Sequence, residues 1–129
     1  MSKKWNDKSE LEQVVFSGVH GTPELRKHER LHYLGHFRER ILEAITWEQL
    51  KTDKGKSHIK KALDDQRAYE LVIHSRARSQ AMPLIREAQS KGIDFTVVNN
   101  SQLKGPIVVA VAAQQAVDVK RLHADEQQD

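Results

Sequence analysis

The sequence contains no cysteine, which excludes disulfides, thiolate metal sites and cysteine nucleophiles. Aromatic residues make up only 5% of the chain, so a core has to be built from Val, Ile, Leu and Ala. Long apolar runs are missing too. The longest is Ile107–Ala113, far short of the roughly 20 residues that a membrane-spanning helix needs. The opening residues Met1-Ser2-Lys3-Lys4-Trp5-Asn6-Asp7-Lys8 lead into no apolar segment, so no signal peptide is read there. A cytoplasmic protein with no membrane partner is the expectation.

Familiar catalytic signatures are also missing. There is no Gly-x-Ser-x-Gly, no P-loop and no His-Glu-x-x-His. Asp64 and Asp65 are neighbours in sequence, which on a helix points them apart. Enzyme activity is therefore doubtful, and no cofactor is called for. A strong charge bias is lacking as well. The net charge of +3 comes from 21 Lys/Arg against 18 Asp/Glu. Residues 1–60 hold twelve basic and nine acidic groups and residues 61–129 nine of each, a milder bias than a dedicated nucleic-acid binder usually carries.

What is present is one domain's worth of chain, 129 residues, enough to bury about two-thirds of its unfolded surface. Residues 1–8 read as a disordered tail, 9–122 as a single domain and 123–129 as a polar, acidic tail. Ser9 and Glu12 have capping-box spacing, and Leu11, Val14 and Val15 make a stripe, so a helix is predicted over residues 9 to about 20. Residues 22–30 are polar and form a connector. The piece from Phe37 is ambiguous: Ile41, Leu42 and Ile45 have helical spacing, yet a strand over about 40–46 is equally readable.

Later elements are sharper. A helix is predicted from Ser57, as cap, to about Gln66, followed by a strand over residues 69–74. A helix over residues 78–91 has its firm part from Pro83 and its stop at Gly92. Residues 94–98 form a strand, and 107–113, apolar throughout and opened by Gly105-Pro106, a strand covered on both faces. A short helical turn at residues 114–117 completes the pattern. Helix, strand, helix, strand implies parallel strands joined by a crossover, with 107–113 central and 94–98, carrying Asp94 and Thr96, at an edge.

The segments Thr22-Pro23-Glu24, His28-Glu29-Arg30, Leu34-Gly35, Phe37-Arg38-Glu39-Arg40-Ile41 and Ala44-Ile45-Thr46 resemble the signature of the YueI family of small bacterial proteins. The likeness continues through Lys91-Gly92-Ile93-Asp94-Phe95-Thr96-Val97-Val98, Ile107–Ala113 and Ala116-Val117. This resemblance implies an α/β (α+β) fold of the chorismate-mutase-like group: β-α-β-α-β-β, a mixed four-stranded sheet ordered 1-4-2-3, with an N-terminal helix and helices flanking the sheet. It also favours a strand near residues 39–46. It implies no established activity, and chorismate mutase chemistry would be an analogy of fold alone.

Three candidate sites follow. In sheets with parallel strands, ligands collect beyond the carboxyl ends of the strands. There His74, Ser75, Arg76, Arg78 and Ser79, with Thr46 at the end of the first strand, form a candidate anion- or RNA-binding site. The plainer alternative is that the arginines are solvated and Ser79 caps a helix. His28, His32 and His36 have i, i+4, i+8 spacing, but Gly35 interrupts a helix through them, and no metal site is assigned. Arg26, Lys27, Arg30, Arg38 and Arg40 surround Tyr33 and Phe37, a pattern of basic groups and rings that suits RNA or, alternatively, an ordinary core with paired arginines. Thr46-Trp47-Glu48-Gln49-Leu50-Lys51 shares only its Glu-x-x-Lys pair with the turn by which kink-turn proteins read RNA. The leading expectation is a non-catalytic binding protein for a small anionic ligand or RNA. The contrasting one is a homo-oligomeric or partner-binding module using residues 94–98 as an open sheet edge.

Overall fold

A computed structural model describes residues 30, 32–100, 103 and 105–126. The helix expected over residues 9–20, the N-terminal tail and residues 22–29 of the connector, with Arg26, Lys27 and His28, lie outside the described residues. Within them the order is β1 (Ile41–Thr46), α1 (Trp47–Leu50), α2 (Asp53–Leu63), β2 (Glu70–His74), α3 (Met82–Ser90), β3 (Asp94–Val98) and β4 (Ile107–Ala112). The sheet runs β1-β4-β2-β3, with β4 antiparallel to both neighbours and β2 parallel to β3. The ambiguous piece is thus a strand, and the fold is the mixed α/β arrangement expected.

Each residue of β4 is buried, as an uninterrupted aliphatic run requires when both faces of a sheet are covered. On one face Leu71, Ile73, Val109 and Val111 meet Ile59 and Leu63 of α2 and Leu84, Ile85 and Ala88 of α3. On the other, Ile41, Ala44, Val72 and Ala110 are covered by Leu34, Leu103 and Leu122. No Phe, Trp or Tyr is fully buried among the described residues, which follows from the scarcity of aromatics. Truncating this core, as in Leu84→Ala, should cost about 2–5 kcal/mol in a denaturant melt.

Several boundaries differ from the sequence reading. The second helix starts four residues before Ser57, because the Thr52 hydroxyl accepts from the Gly55 amide (2.9 Å) and supplies the cap. The third starts at Met82 rather than at residue 78: Ser75–Ala77 form a 3-10 turn, and Ala81 is the N-cap with no side-chain bond. Ser79 therefore caps nothing. Pro83 does sit in the first turn, and Gly92 (φ 72°) does end the helix. No helical turn forms at residues 114–117, where the Val117 and Asp118 amides instead donate to the Glu39 carbonyl (2.7 and 3.0 Å). The stretch read as a tail from residue 123 opens with a 3-10 turn, His123–Glu126, whose first residue is 7% exposed.

Candidate functional site

β1, β2 and β3 point the same way and β4 opposes them, so three carboxyl ends meet the start of β4 at one end of the sheet. There Gly105-Pro106 enters between β1 and β2. The Trp47 amide donates to the Pro106 carbonyl (3.1 Å), and the Arg76 guanidinium donates to the Gly105 carbonyl (2.6 Å). These bonds draw the ends of β1 and β2 around an open cleft of about 480 Å³, lined among the described residues by Thr46, Trp47, Glu48, Arg76 and Pro106.

Of the six residues singled out from the sequence, Thr46 and Arg76 share this cleft. Thr46 is 2% exposed, and its hydroxyl accepts from the Gln49 amide (3.2 Å) while the Gln49 side chain accepts from the Thr46 amide (3.0 Å). This reciprocal cap makes Thr46 a wall of the cleft more than a hand reaching into it. Arg76 is exposed, and its planar fork suits an oxyanion in two-pronged contact. His74 and Ser75 support the turn: the His74 Nδ1 accepts from the Arg76 amide (3.1 Å), and the Ser75 hydroxyl meets the Asn99 side chain (3.2 Å). Arg78 and Ser79 are exposed in the turn before α3 and do not line the cleft.

Burial lowers the His74 pKa from its ordinary value of 6.5, the Arg76 charge lowers it further, and a bond to the Leu103 backbone opposes both. The neutral imidazole, which accepts the Arg76 amide, is therefore the favoured form. Because the folded pKa lies below the unfolded one, the contribution of His74 to stability is present above pH 6.5 and fades as pH falls below it. In an NMR titration His74 should titrate below 6.5, and Arg76→Ala should move the midpoint upward by removing the neighbouring charge.

The other sequence candidates assemble less well. Leu34 and Gly35 both have positive φ (57° and 96°), so no helix joins His32 to His36. His36 instead lies 3.5 Å from the Glu70 carboxylate, and His32 stands edge-on to Tyr33. Among the described residues no group of three or more His, Asp or Glu side chains is arranged to hold a metal ion. Arg38 lies over Tyr33 and Arg30 over Phe37, so rings and cations are already paired with one another. Glu48 and Lys51 form an exposed ion pair (3.5 Å), and Lys51 also lies over the Trp47 ring.

Two features had escaped the sequence. A cavity of about 710 Å³ lies at the opposite end of the sheet between Tyr69, Gln89, Ile93 and Phe95. Its lining also carries Glu70 and Asp94, so it repels an anion, and size alone does not make it the anion site. Glu43 sits in β1 among apolar residues, where its carboxylate accepts from the His123 amide (2.6 Å) and lies 3.4 Å from His58 Nδ1. The His58 and His123 rings stack at 4.0 Å, and Gln49 donates to the His123 carbonyl (2.7 Å). A charged residue in an otherwise apolar strand was the available signal, but its partner is 80 residues away.

A family model described as "Protein of unknown function (DUF1694)" matches residues 8–123. An uncharacterised Bacillus subtilis (strain 168) protein, YueI, is 28% identical over 113 residues, covering 87% of this chain and 84% of that protein. The crystal structure of YueI from Bacillus subtilis aligns with a TM-score of 0.69 at 27% identity, covering 81% of this chain and 83% of that one. No helix among the described residues is long and apolar enough to cross a membrane.

Proposed function

The chain belongs to the YueI family, described as proteins of unknown function (DUF1694), and we propose that it is a non-catalytic binding protein for an anionic ligand. The ligand, a phosphorylated small molecule or the phosphates of RNA, is held in the cleft at the carboxyl ends of β1 and β2. One observation carries this reading: Arg76, tied to the Gly105 carbonyl, faces the same open cleft as Trp47. A guanidinium beside a half-buried indole offers a fork for an oxyanion and an apolar surface for whatever carries it. The half-buried Trp47 ring also gives a fluorescence reporter inside the cleft.

The two arginines are expected to differ. With inorganic pyrophosphate or a short single-stranded RNA as probe at low ionic strength, Arg76→Ala should weaken binding at least tenfold. Arg78→Ala, which removes a charge outside the cleft, should change it no more than about twofold. Equal losses for both variants would point to a diffuse basic surface, and no loss for either removes the site. A steep fall in RNA affinity with salt would favour polyanion over small-molecule binding.

A further inference from the structure

The two edges of the sheet are treated differently. The outer edge of β1 is irregular, with register shifts after Ile41 and after Ile45, and the His123–Glu126 turn packs against it through Glu43. At the other edge β3 has, among the described residues, a strand partner on one side only, β2, in five successive pairs with no bulge. β3 carries no Lys, no Pro and no irregularity, three of the devices that keep an open edge from pairing. Asp94 and Thr96 are exposed on it, and beside its start stands Tyr69, the one large hydrophobic residue more than half exposed among those described (52%).

We propose that β3 pairs antiparallel with β3 of a second copy of this chain about a twofold axis at Thr96, giving one continuous eight-stranded sheet. The sequence of the strand fits its own reverse. In this register Phe95 faces Val97 of the second copy, an aromatic against a β-branched residue, and Thr96 faces Thr96, both favourable cross-strand pairs. Asp94 faces Val98. The two Asp94 carboxylates are then four residues apart along the ladder, roughly 14 Å, beyond the screening distance of about 8 Å at physiological salt. A parallel pairing would set Asp94 against Asp94 about 5 Å away, where each also neighbours Glu70. Charge therefore selects the antiparallel arrangement, and its twofold symmetry closes the assembly at a dimer. The edge is short, so the dimer is a weak one that forms and dissociates with concentration. This inference does not depend on the anion site, which lies at the carboxyl ends of the strands.

The test uses the full chain in sedimentation equilibrium over a roughly hundredfold range of concentration, up to about 500 µM. The wild type should move from monomer to dimer. Thr96→Lys and Thr96→Glu each set like charges face to face across the axis and should weaken dimerisation at least tenfold. An equimolar mixture of the two variants should restore it by pairing opposite charges. Restoration in the mixture also shows that both variants fold. Hydrogen exchange on the wild type gives a second readout that needs no variant: β3 amides should become more protected as concentration rises. A wild type that stays monomeric overturns the proposal, as does a dimer indifferent to both substitutions. Protection of β3 that is independent of concentration would mean that the chain covers this edge itself, and would overturn it as well.

Discussion

Gly55→Ala should destabilise the protein by about 2–3 kcal/mol, although it replaces a glycine inside a helix with the best helix former. On propensity alone the change would gain about 1 kcal/mol. The surroundings reverse the sign. A Cβ at Gly55 would lie 2.0 Å from the Gln49 carbonyl oxygen and 2.7 Å from its carbon, both backbone atoms that cannot swing away. The same carbonyl already accepts from the Thr52 amide (3.0 Å) and hydroxyl (2.7 Å), so moving it breaks the elbow between α1 and α2. That elbow fixes Trp47 at the cleft, so the variant should bind the pyrophosphate probe more weakly as well as melt earlier. Gly92→Ala is the useful comparison. Gly92 has φ 72° and nothing within 4 Å of its would-be Cβ, so only backbone strain of about 1–2 kcal/mol is expected. Thermal melts of the two variants should rank Gly55→Ala below Gly92→Ala. A neutral or stabilising Gly55→Ala would show that the elbow yields freely.

Glu43→Ala should cost about 2–3 kcal/mol. The carboxylate accepts from the His123 amide (2.6 Å) and the Ala44 amide (3.0 Å), and its side chain is only 14% exposed. Truncation strands these donors away from water, and an unmade bond to a buried donor costs more than a made one contributes. The loss should be local in kind. Hydrogen exchange should rise first in the His123–Glu126 turn and in β1, with α3 and β3 affected only through global stability. Glu43→Gln keeps an acceptor and should recover a good part of the loss. His58→Ala should cost less than Glu43→Ala, because the His58 side chain is 32% exposed and a half-solvated pair contributes little.

These two positions mark where the sequence was readable and where it was not. β4 was plain because an unbroken aliphatic run has one economical place, the inside of a sheet. β3 was plain because Asp94 and Thr96 alternate with apolar residues as an edge strand allows. The start of α2 was less plain, since Ser57 has the chemistry of a helix cap. The Thr52 hydroxyl and the Gly55 amide in fact start the helix three residues apart, a short-range signal that was there to be read. Thr46 and Gln49 likewise held the spacing of a reciprocal cap, overlooked beside the Glu48 and Lys51 pair. Glu43 belongs to a different class. Its carboxylate is satisfied by a histidine far along the chain, and no local pattern connects the two.

The candidate site was half legible. That Thr46 and Arg76 meet follows from strand order, which the apolar pattern and the family resemblance together specified. That Arg78 and Ser79 fall outside the cleft does not, because it depends on a 3-10 turn and four further residues intervening before α3. The distinction matters for any binding study, since it reduces a diffuse basic loop to a single guanidinium anchored on the Gly105 carbonyl.

The most direct test of an anion cleft is an NMR titration of the full-length protein with inorganic pyrophosphate at low ionic strength. The Arg76 side-chain N–H, the Trp47 indole and amide, and the Pro106–Ile107 backbone should shift together and saturate with one apparent affinity. Arg78 and the Tyr69–Phe95 end of the sheet should stay in place, and Arg76→Ala should abolish the saturation. Shifts spread evenly over the exposed lysines and arginines, or none at Arg76 and Trp47, would contradict the account.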